Sequence, residues 1–318
     1  VSVLYLTEAD VRRLLTVPAA IPAVEAAFRK LALDEAENVP RQRCQTDRVM
    51  LHVLPAAAKT LDAIGFKAYT TTAQTARFHL FLYDGRGGHL TAIIEADYLG
   101  QVRTGAASGV ATRLLARPDA DTLGVFGTGK QARTQLLAVA AVRPLKRVHV
   151  HGRDAARRTA FAAEMTAAAG IDVVPVDTPE AASRGMAIIC TATTSREPVL
   201  RGEWVGPGTH INLDGSNFLA KAEADIELFR RAAVVTVDSK DQARTEAGDF
   251  TAALNEHVLE WSRIHDLGPT LIGRYPGRES PEQVTVFKSL GLGIEDVAVG
   301  ALTVGLARGQ GVGRELDM

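Results

Sequence analysis

The chain has 318 residues, 46% of them hydrophobic, and sets 36 basic against 37 acidic side chains for a net charge of −1. That length provides for two domains, and that charge supplies no general electrostatic reason to bind nucleic acid or an anionic membrane. No apolar run approaches the roughly 18–20 residues that cross a bilayer, and the opening Val1-Ser2-Val3-Leu4-Tyr5-Leu6 lacks a leader pattern, so a cytoplasmic chain is expected. The two cysteines, Cys44 and Cys190, form no CxxC pair and the histidines form no HExxH, which argues against a disulfide scaffold and a metal site.

In chain order, Thr7-Glu8-Ala9-Asp10 reads as a capped helix start. A second helix fits residues 19–37, where Ile21, Val24, Phe28 and Leu31 recur at helical spacing and Asn38-Val39-Pro40 ends it. The period then changes. Residues 49–54, 63–69, 78–83 and 90–94 read as four strands of an antiparallel sheet, the last two joined by the hairpin turn Asp84-Gly85-Arg86-Gly87-Gly88. A helix rich in small residues comes next over 97–116 and is punctuated by Arg117-Pro118-Asp119.

The next stretch, Thr122 to Ala132, reads as strand, Gly-rich turn and helix. Taken alone, such a turn is equally a plain connection, because any tight strand-to-helix turn favours Gly. The residues beyond it shift that balance. Strands at 147–150, 171–174, 187–190, 210–213 and 233–237 alternate with helical segments starting near Asp154 and Pro179, the pattern of a parallel sheet covered by helices on both faces. The turn lies on the first strand of that series, where a dinucleotide site is expected: Gly127 to turn the chain, Gly129 to let backbone approach a pyrophosphate, Ala132 for close helix packing. The fold class is therefore α/β, a Rossmann domain over 120–295. A second, α+β domain takes 1–119 with 296–318. The RTGAAS block at Arg103–Ser108, the GTGKQA turn at Gly127–Ala132 and the FKSLG block at Phe287–Gly291 carry a resemblance to the ornithine cyclodeaminase/mu-crystallin family, which implies that this domain binds substrate and dimerises. The small-residue helix 294–308, apolar on more than one side through Val297, Ala301, Val304 and Leu306, is expected to leave the nucleotide domain.

In dinucleotide folds an acid about 20 residues past the glycines binds the ribose diol, whereas Arg accommodates a 2′-phosphate. Here that place is Gly152, followed by Arg153, so NADP(H) is favoured and NAD(H) remains open; the alternative is that Asp154 caps a helix and Arg153 is merely solvated. Ahead of the nucleotide domain, charge stands where the pattern asks for something else: Pro40-Arg41-Gln42-Arg43, Lys67 in mid-strand opposite in face to Phe66 and Ala68, and Arg103 opening Arg103-Thr104-Gly105-Ala106. Together they suggest a carboxylate clamp.

Across the whole chain, VPRQR, LHVLPAA, GFKAYTTT, IIEADYLGQVRTGAASGVAT, GTGKQA, VHVHGRD, CTATTSREPVL, THINLDGSN and VFKSLGLGIEDVAVGAL run in the order of the ornithine cyclodeaminase/mu-crystallin family, which the sequence resembles. The resemblance implies that Lys67, Arg103 and an arginine from the first motif hold a substrate carboxylate. Arg41 and Arg43 compete for that last place, with Arg41 preferred. It further implies that Thr104, Gly127, Thr128, Gly129, Lys130, Gln131 and Ala132 contact the cofactor phosphates, and that Thr191, Ala192, Thr193, Lys288, Ser289 and Gly291 lie beside the nicotinamide and its ribose. Two departures stand out. His52 occupies a place where cyclodeaminases carry an acid, and Asn217 occupies that of a catalytic aspartate, with Asp214 just upstream as a possible substitute. Asn transfers no proton, although it orients nitrogen by hydrogen bonding. The expectation is an NAD(P)H-dependent reductase of α-imino acids, or amino acid dehydrogenase, acting as a homodimer. Lys67 is the first candidate proton donor and His52 the second. The alternatives are ornithine cyclodeamination and non-enzymatic binding in the manner of mu-crystallin.

Overall fold

The structure, a computed structural model, describes residues 2–317. The chain begins with β1 (Ser2–Leu6), α1 (Glu8–Leu14), α2 (Val17–Ala32), β2 (Ala36–Asn38), β3 (Gln42–Gln45), β4 (Met50–Ala58), β5 (Ala63–Thr71), β6 (Ala76–Asp84), β7 (Leu90–Glu95) and α3 (Asp97–Leu115). It continues with β8 (Thr122–Phe126), α4 (Lys130–Val142), β9 (Arg147–His151), α5 (Ala155–Ala169), β10 (Asp172–Pro175), β11 (Ile188–Thr191), β12 (His210–Leu213), α6 (Ile226–Arg231), β13 (Ala232–Val237), α7 (Lys240–Glu246), α8 (Gly248–Asn255), β14 (Ile264–Asp266), α9 (Leu267–Leu271) and β15 (Val284–Lys288). α10 (Gly293–Gln310) and β16 (Arg314–Asp317) complete it.

These elements assort into two compact units, one running to Arg103 and resuming at Gly291, the other spanning Thr104–Leu290. The division falls inside α3, not at the Pro118 loop. The reason lies in the helix's partners: Arg103 is bonded to Glu295 and Asp296, whereas Thr112 accepts from Asn212 Nδ2 at 3.0 Å.

The first unit is built on a sheet of order β16-β1-β7-β6-β5-β4-β2, with β3 on β4. It is antiparallel except where β1 runs parallel to β7, a strand that the purely antiparallel expectation omits. Thr7 and Asp10 close a capping box at α1, as their spacing suggests. α2 stops at Ala32, short of the expected Glu37, because Asp34 takes a left-handed φ of 60° and sends Ala36–Asn38 back to pair with β4. α10 packs on β4, β5 and β6. By strand alternation Leu54, Lys67 and Leu80, cross-strand neighbours and all buried, share one face of that sheet. The opposite face carries Val53, Pro55, Ile64, Phe66 and Phe81, with the Phe66 and Phe81 rings stacked at 5.0 Å.

The second unit is an all-parallel sheet of order β10-β9-β8-β11-β12-β15-β13-β14. Its two cores lie on opposite faces, one around Leu123, Val125, Leu136, Val148 and Phe161, the other around Phe126, Ile211, Leu213, Phe229 and Phe250. Every expected strand of this unit is present. Residues 179–185 are turns rather than a helix, closed by Gly185 at φ 73°. β15 inserts between β12 and β13, out of chain order. Among the described residues no helix is long and apolar enough to cross a membrane.

Candidate active site

In the second unit the chain leaves β8 through Gly127 at φ 105°, where a Cβ would sit 2.4 Å from the Ala192 carbonyl oxygen, so only glycine makes this turn. Gly129 caps α4 without any side-chain bond to the helix N-terminus, and nothing lies within 4 Å of where its Cβ would be. The first amides of α4 are therefore open to an anion. Lys130 is exposed, Gln131 Oε1 is buried without a hydrogen-bond partner among the described residues, and Ala132 is packed into the core beneath.

A cleft of about 320 Å³ opens over Gly127, Thr128 and Gly129 and is walled on another side by Ala192 and Thr193. Gly152, Arg153 and Arg157 also line it. A Cβ on Gly152 would meet the Thr128 methyl at 3.0 Å, so the place that a ribose-binding acid occupies in such folds is bare here. Asp154 does cap α5, accepting from Arg157 N at 3.0 Å, while Arg153 lines the cleft; the cap and the cleft arginine coexist. Thr104 is buried on α3.

The carboxyl ends of β11 and β12 are joined by a group that sequence reasoning misses. The buried Glu223 carboxylate accepts from Thr191 Oγ1 at 2.6 Å, and from Thr193 N, Thr193 Oγ1 and Gly215 N at 2.7 Å each. Burial, then the Asp249 charge, raises its pKa, and Lys288 opposes them. Lys288, expected beside the nicotinamide, instead puts its ammonium 3.0 Å from Asp249 in the core, so any ligand contact from that strand end belongs to its backbone. Ser289 Oγ beside it is buried without a hydrogen-bond partner among the described residues. Asp214 accepts from Gln135 Nε2 at 2.7 Å, which ties it to α4, and Asn217 is half-buried in the loop after β12.

In the first unit three cations of the expected clamp are buried on one side of the sheet. Lys67 on β5 is 2% exposed, Arg103 on α3 is 7% and Arg41 is 8%. Two carboxylates from the first turn of α10 meet them. Asp296 Oδ1 accepts from Lys67 Nζ at 2.7 Å and Arg103 Nε at 3.0 Å, and Glu295 Oε2 accepts from Arg103 Nη1 at 2.9 Å. Arg41 Nη2 donates to the Gly291 carbonyl at 3.2 Å, and Gly291 lies directly against the Arg103 guanidinium.

The two early arginines go to different partners: Arg41 joins the Gly291–Arg103 group, whereas Arg43 on β3 donates through Nε to His52 Nδ1 at 3.2 Å. That bond makes Nδ1 an acceptor, so the His52 proton is on Nε2, 3.1 Å from Thr71 Oγ1. Burial, then Arg43 and Arg41, pull the His52 pKa down to about 4, and its ring stacks on Tyr69 at 4.2 Å. His52 is a neutral, fully engaged imidazole and is withdrawn as a proton donor. Lys67 is lowered to about 8, first by burial and then by Arg103, with Asp296 opposing both. Glu295 and Asp296 are legible only as two acids in the first turn of an apolar helix, where they resemble ordinary complements to the helix dipole.

A parallel, doubly covered sheet whose first strand ends in an open Gly-rich turn defines a dinucleotide-binding protein of the Rossmann class, and its other unit carries a buried cationic cluster suited to a carboxylate. The model of the ornithine cyclodeaminase/mu-crystallin family matches residues 2–305, and the chain belongs to that family. It is 34% identical over 273 residues to the Delta(1)-pyrroline-2-carboxylate reductase of Bacillus cereus, covering 83% of this chain and 84% of that one. Among solved structures, the Thermococcus litoralis Delta(1)-pyrroline-2-carboxylate reductase in complex with NADH and L-proline superposes with a TM-score of 0.94 at 32% identity, over 98% of this chain and all of the other. An archaeal alanine dehydrogenase dimer with bound NAD superposes at 0.93 with 31% identity over 100% of both chains.

Proposed function

We propose that the chain is an NAD(P)H-dependent reductase of α-imino acids, and the observation that carries this is the buried Arg41–Lys67–Arg103 cluster, partly neutralised by Glu295 and Asp296. Three cations against two carboxylates leave one positive charge, which matches one substrate carboxylate in a region where charge-assisted bonds are strong. Relatives named for reduction of a cyclic imino acid and for dehydrogenation of alanine fit that reading.

The orphaned Gln131 and Ser289 oxygens, the uncapped α4 start and the open Gly129 fit a dinucleotide phosphate and ribose. A bound nicotinamide supplies the hydride. The chain's own contributions are to fix the carboxylate and so orient the C=N carbon, and to provide a proton for the nitrogen. With a pKa of about 8, Lys67 carries that proton at neutral pH and releases it readily. The solved relatives hold NADH or NAD, so the nicotinamide is common ground. The bare Gly152 and the paired Arg153 and Arg157 support a preference for the 2′-phosphate of NADP(H). The apolar outer face of the first unit's sheet, where Leu51 and Ile64 stand 36% and 46% exposed, supports a homodimer.

A panel of imino and keto acids with NADPH or NADH, read by nicotinamide absorbance, tests the reading. Turnover of pyrroline-2-carboxylate or an acyclic imino acid is expected. No turnover of any imine refutes it, and proline plus ammonia formed from ornithine with only catalytic cofactor points to cyclodeamination instead.

A further inference from the structure

The two carboxylates at the start of α10 have so far served only to neutralise charge, yet their geometry is divided. Glu295 reaches Arg103, whereas Asp296 Oδ1 is shared between Lys67 Nζ and Arg103 Nε. Asp296 is wholly buried, and its second oxygen, Oδ2, has no hydrogen-bond partner among the described residues. In that position it bridges two cations, and both are groups that the proposed reaction needs.

We propose that Asp296 is the positioning residue for Lys67: it ties the lysine to Arg103 against their mutual repulsion and keeps it protonated, so that Lys67 is the proton donor to the substrate nitrogen. This rests on the reductase reading. As the imine carbon is reduced, the C=N electron pair moves onto nitrogen and takes a proton from Lys67 Nζ, which is left as a neutral amine and regains its proton from solvent. The groups that face Nζ are Arg103 and Gly100 on α3, Asp296 on α10, Arg41 ahead of β3, and the Tyr69 ring 5.9 Å away on β5. Burial, Arg103 and Arg41 favour the neutral amine; Asp296 favours the ammonium. Its removal therefore lets Lys67 lose its proton at lower pH.

The experiment is a pH titration of the Lys67 Nζ chemical shift in nitrogen-15-lysine-labelled full-length protein without substrate or cofactor, the signal being assigned by its loss in Lys67→Arg. The wild-type midpoint is expected near 8. Asp296→Asn is expected to lower it by about one unit or more, the usual effect of an adjacent opposite charge, and Asp296→Glu, which keeps the charge, to hold it close to wild type. The basic limb of kcat for pyrroline-2-carboxylate should move in the same direction by the same amount. A midpoint that stays or rises in Asp296→Asn overturns the proposal, as does a kcat limb that stays put while the midpoint falls. Should Asp296→Asn fail to fold, the other two titrations decide: a wild-type midpoint at the ordinary lysine value, or an Asp296→Glu midpoint well below wild type, overturns it. If no imine is turned over, the reductase reading falls while the titration still tests the Asp296–Lys67 coupling.

Discussion

Replacing Gly291 with alanine tests whether this residue serves the substrate cluster or the cofactor. Gly291 sits at φ 80°, where an L side chain costs about 1–2 kcal/mol. The new Cβ would lie 2.3 Å from Arg103 Nη1, 2.7 Å from Nη2 and 2.9 Å from Cζ, so the guanidinium must retreat by about 1 Å. It is not free to do so at no cost, because Glu295 and Asp296 hold it at 2.9 and 3.0 Å. A positioning group displaced by about 1 Å loses on the order of 10²-fold in rate. Gly291→Ala is thus expected to lower kcat/KM for pyrroline-2-carboxylate by about that factor, mostly through KM, with a small loss of thermal stability and unchanged dinucleotide affinity. Steady-state kinetics by nicotinamide absorbance, dinucleotide titration by fluorescence and a thermal melt measure the three. A weakened dinucleotide affinity with an unchanged substrate KM refutes the displaced-guanidinium argument and returns Gly291 to the cofactor site.

Three further outcomes are expected. Arg153→Ala should weaken NADPH selectively, and an unchanged NADPH to NADH affinity ratio removes Arg153 from the 2′-phosphate. His52, whose pKa is about 4 in the folded chain against an ordinary 6.5, binds protons more readily unfolded than folded between those values. Its contribution to stability is therefore whole above pH 6.5 and lost as pH falls toward 4; denaturant unfolding across that window should show His52→Gln losing less stability than wild type, and parallel losses dismiss the assignment. Phe66→Arg, which places a charge at the ring that stacks on both Phe81 and Tyr83, should shift the proposed dimer to monomer in sedimentation, and a persisting dimer moves the interface elsewhere.

Much of the second unit is legible because its signals are local. Strand and helix periods, the Gly127 turn and the missing acid at Gly152 each lie within a few residues of sequence, and the structure contains every strand they imply. Short segments are less readable. Residues 179–185 carry small helix-forming residues, yet the turn at Gly185 closes them first. β1 carries apolar residues on consecutive positions, so its strand alternation is hidden.

By itself, the sequence determined most of the second unit's strands, the Gly-rich turn after β8 and the presence of Arg41, Lys67 and Arg103 among apolar neighbours, since backbone conformation and side-chain charge are properties of short stretches. Tertiary structure alone decided what those charges meet. Lys67 and Asp296 are 229 positions apart, and no spacing rule links them. The same holds for the separate partners of Arg41 and Arg43, the neutral state of His52, the turning of Lys288 into the core and the division of the chain within α3. Each depends on burial and on which long-range partner stands within hydrogen-bond reach, and those are fixed only when α10 returns to the sheet of the first unit and the second unit's strands close around Glu223.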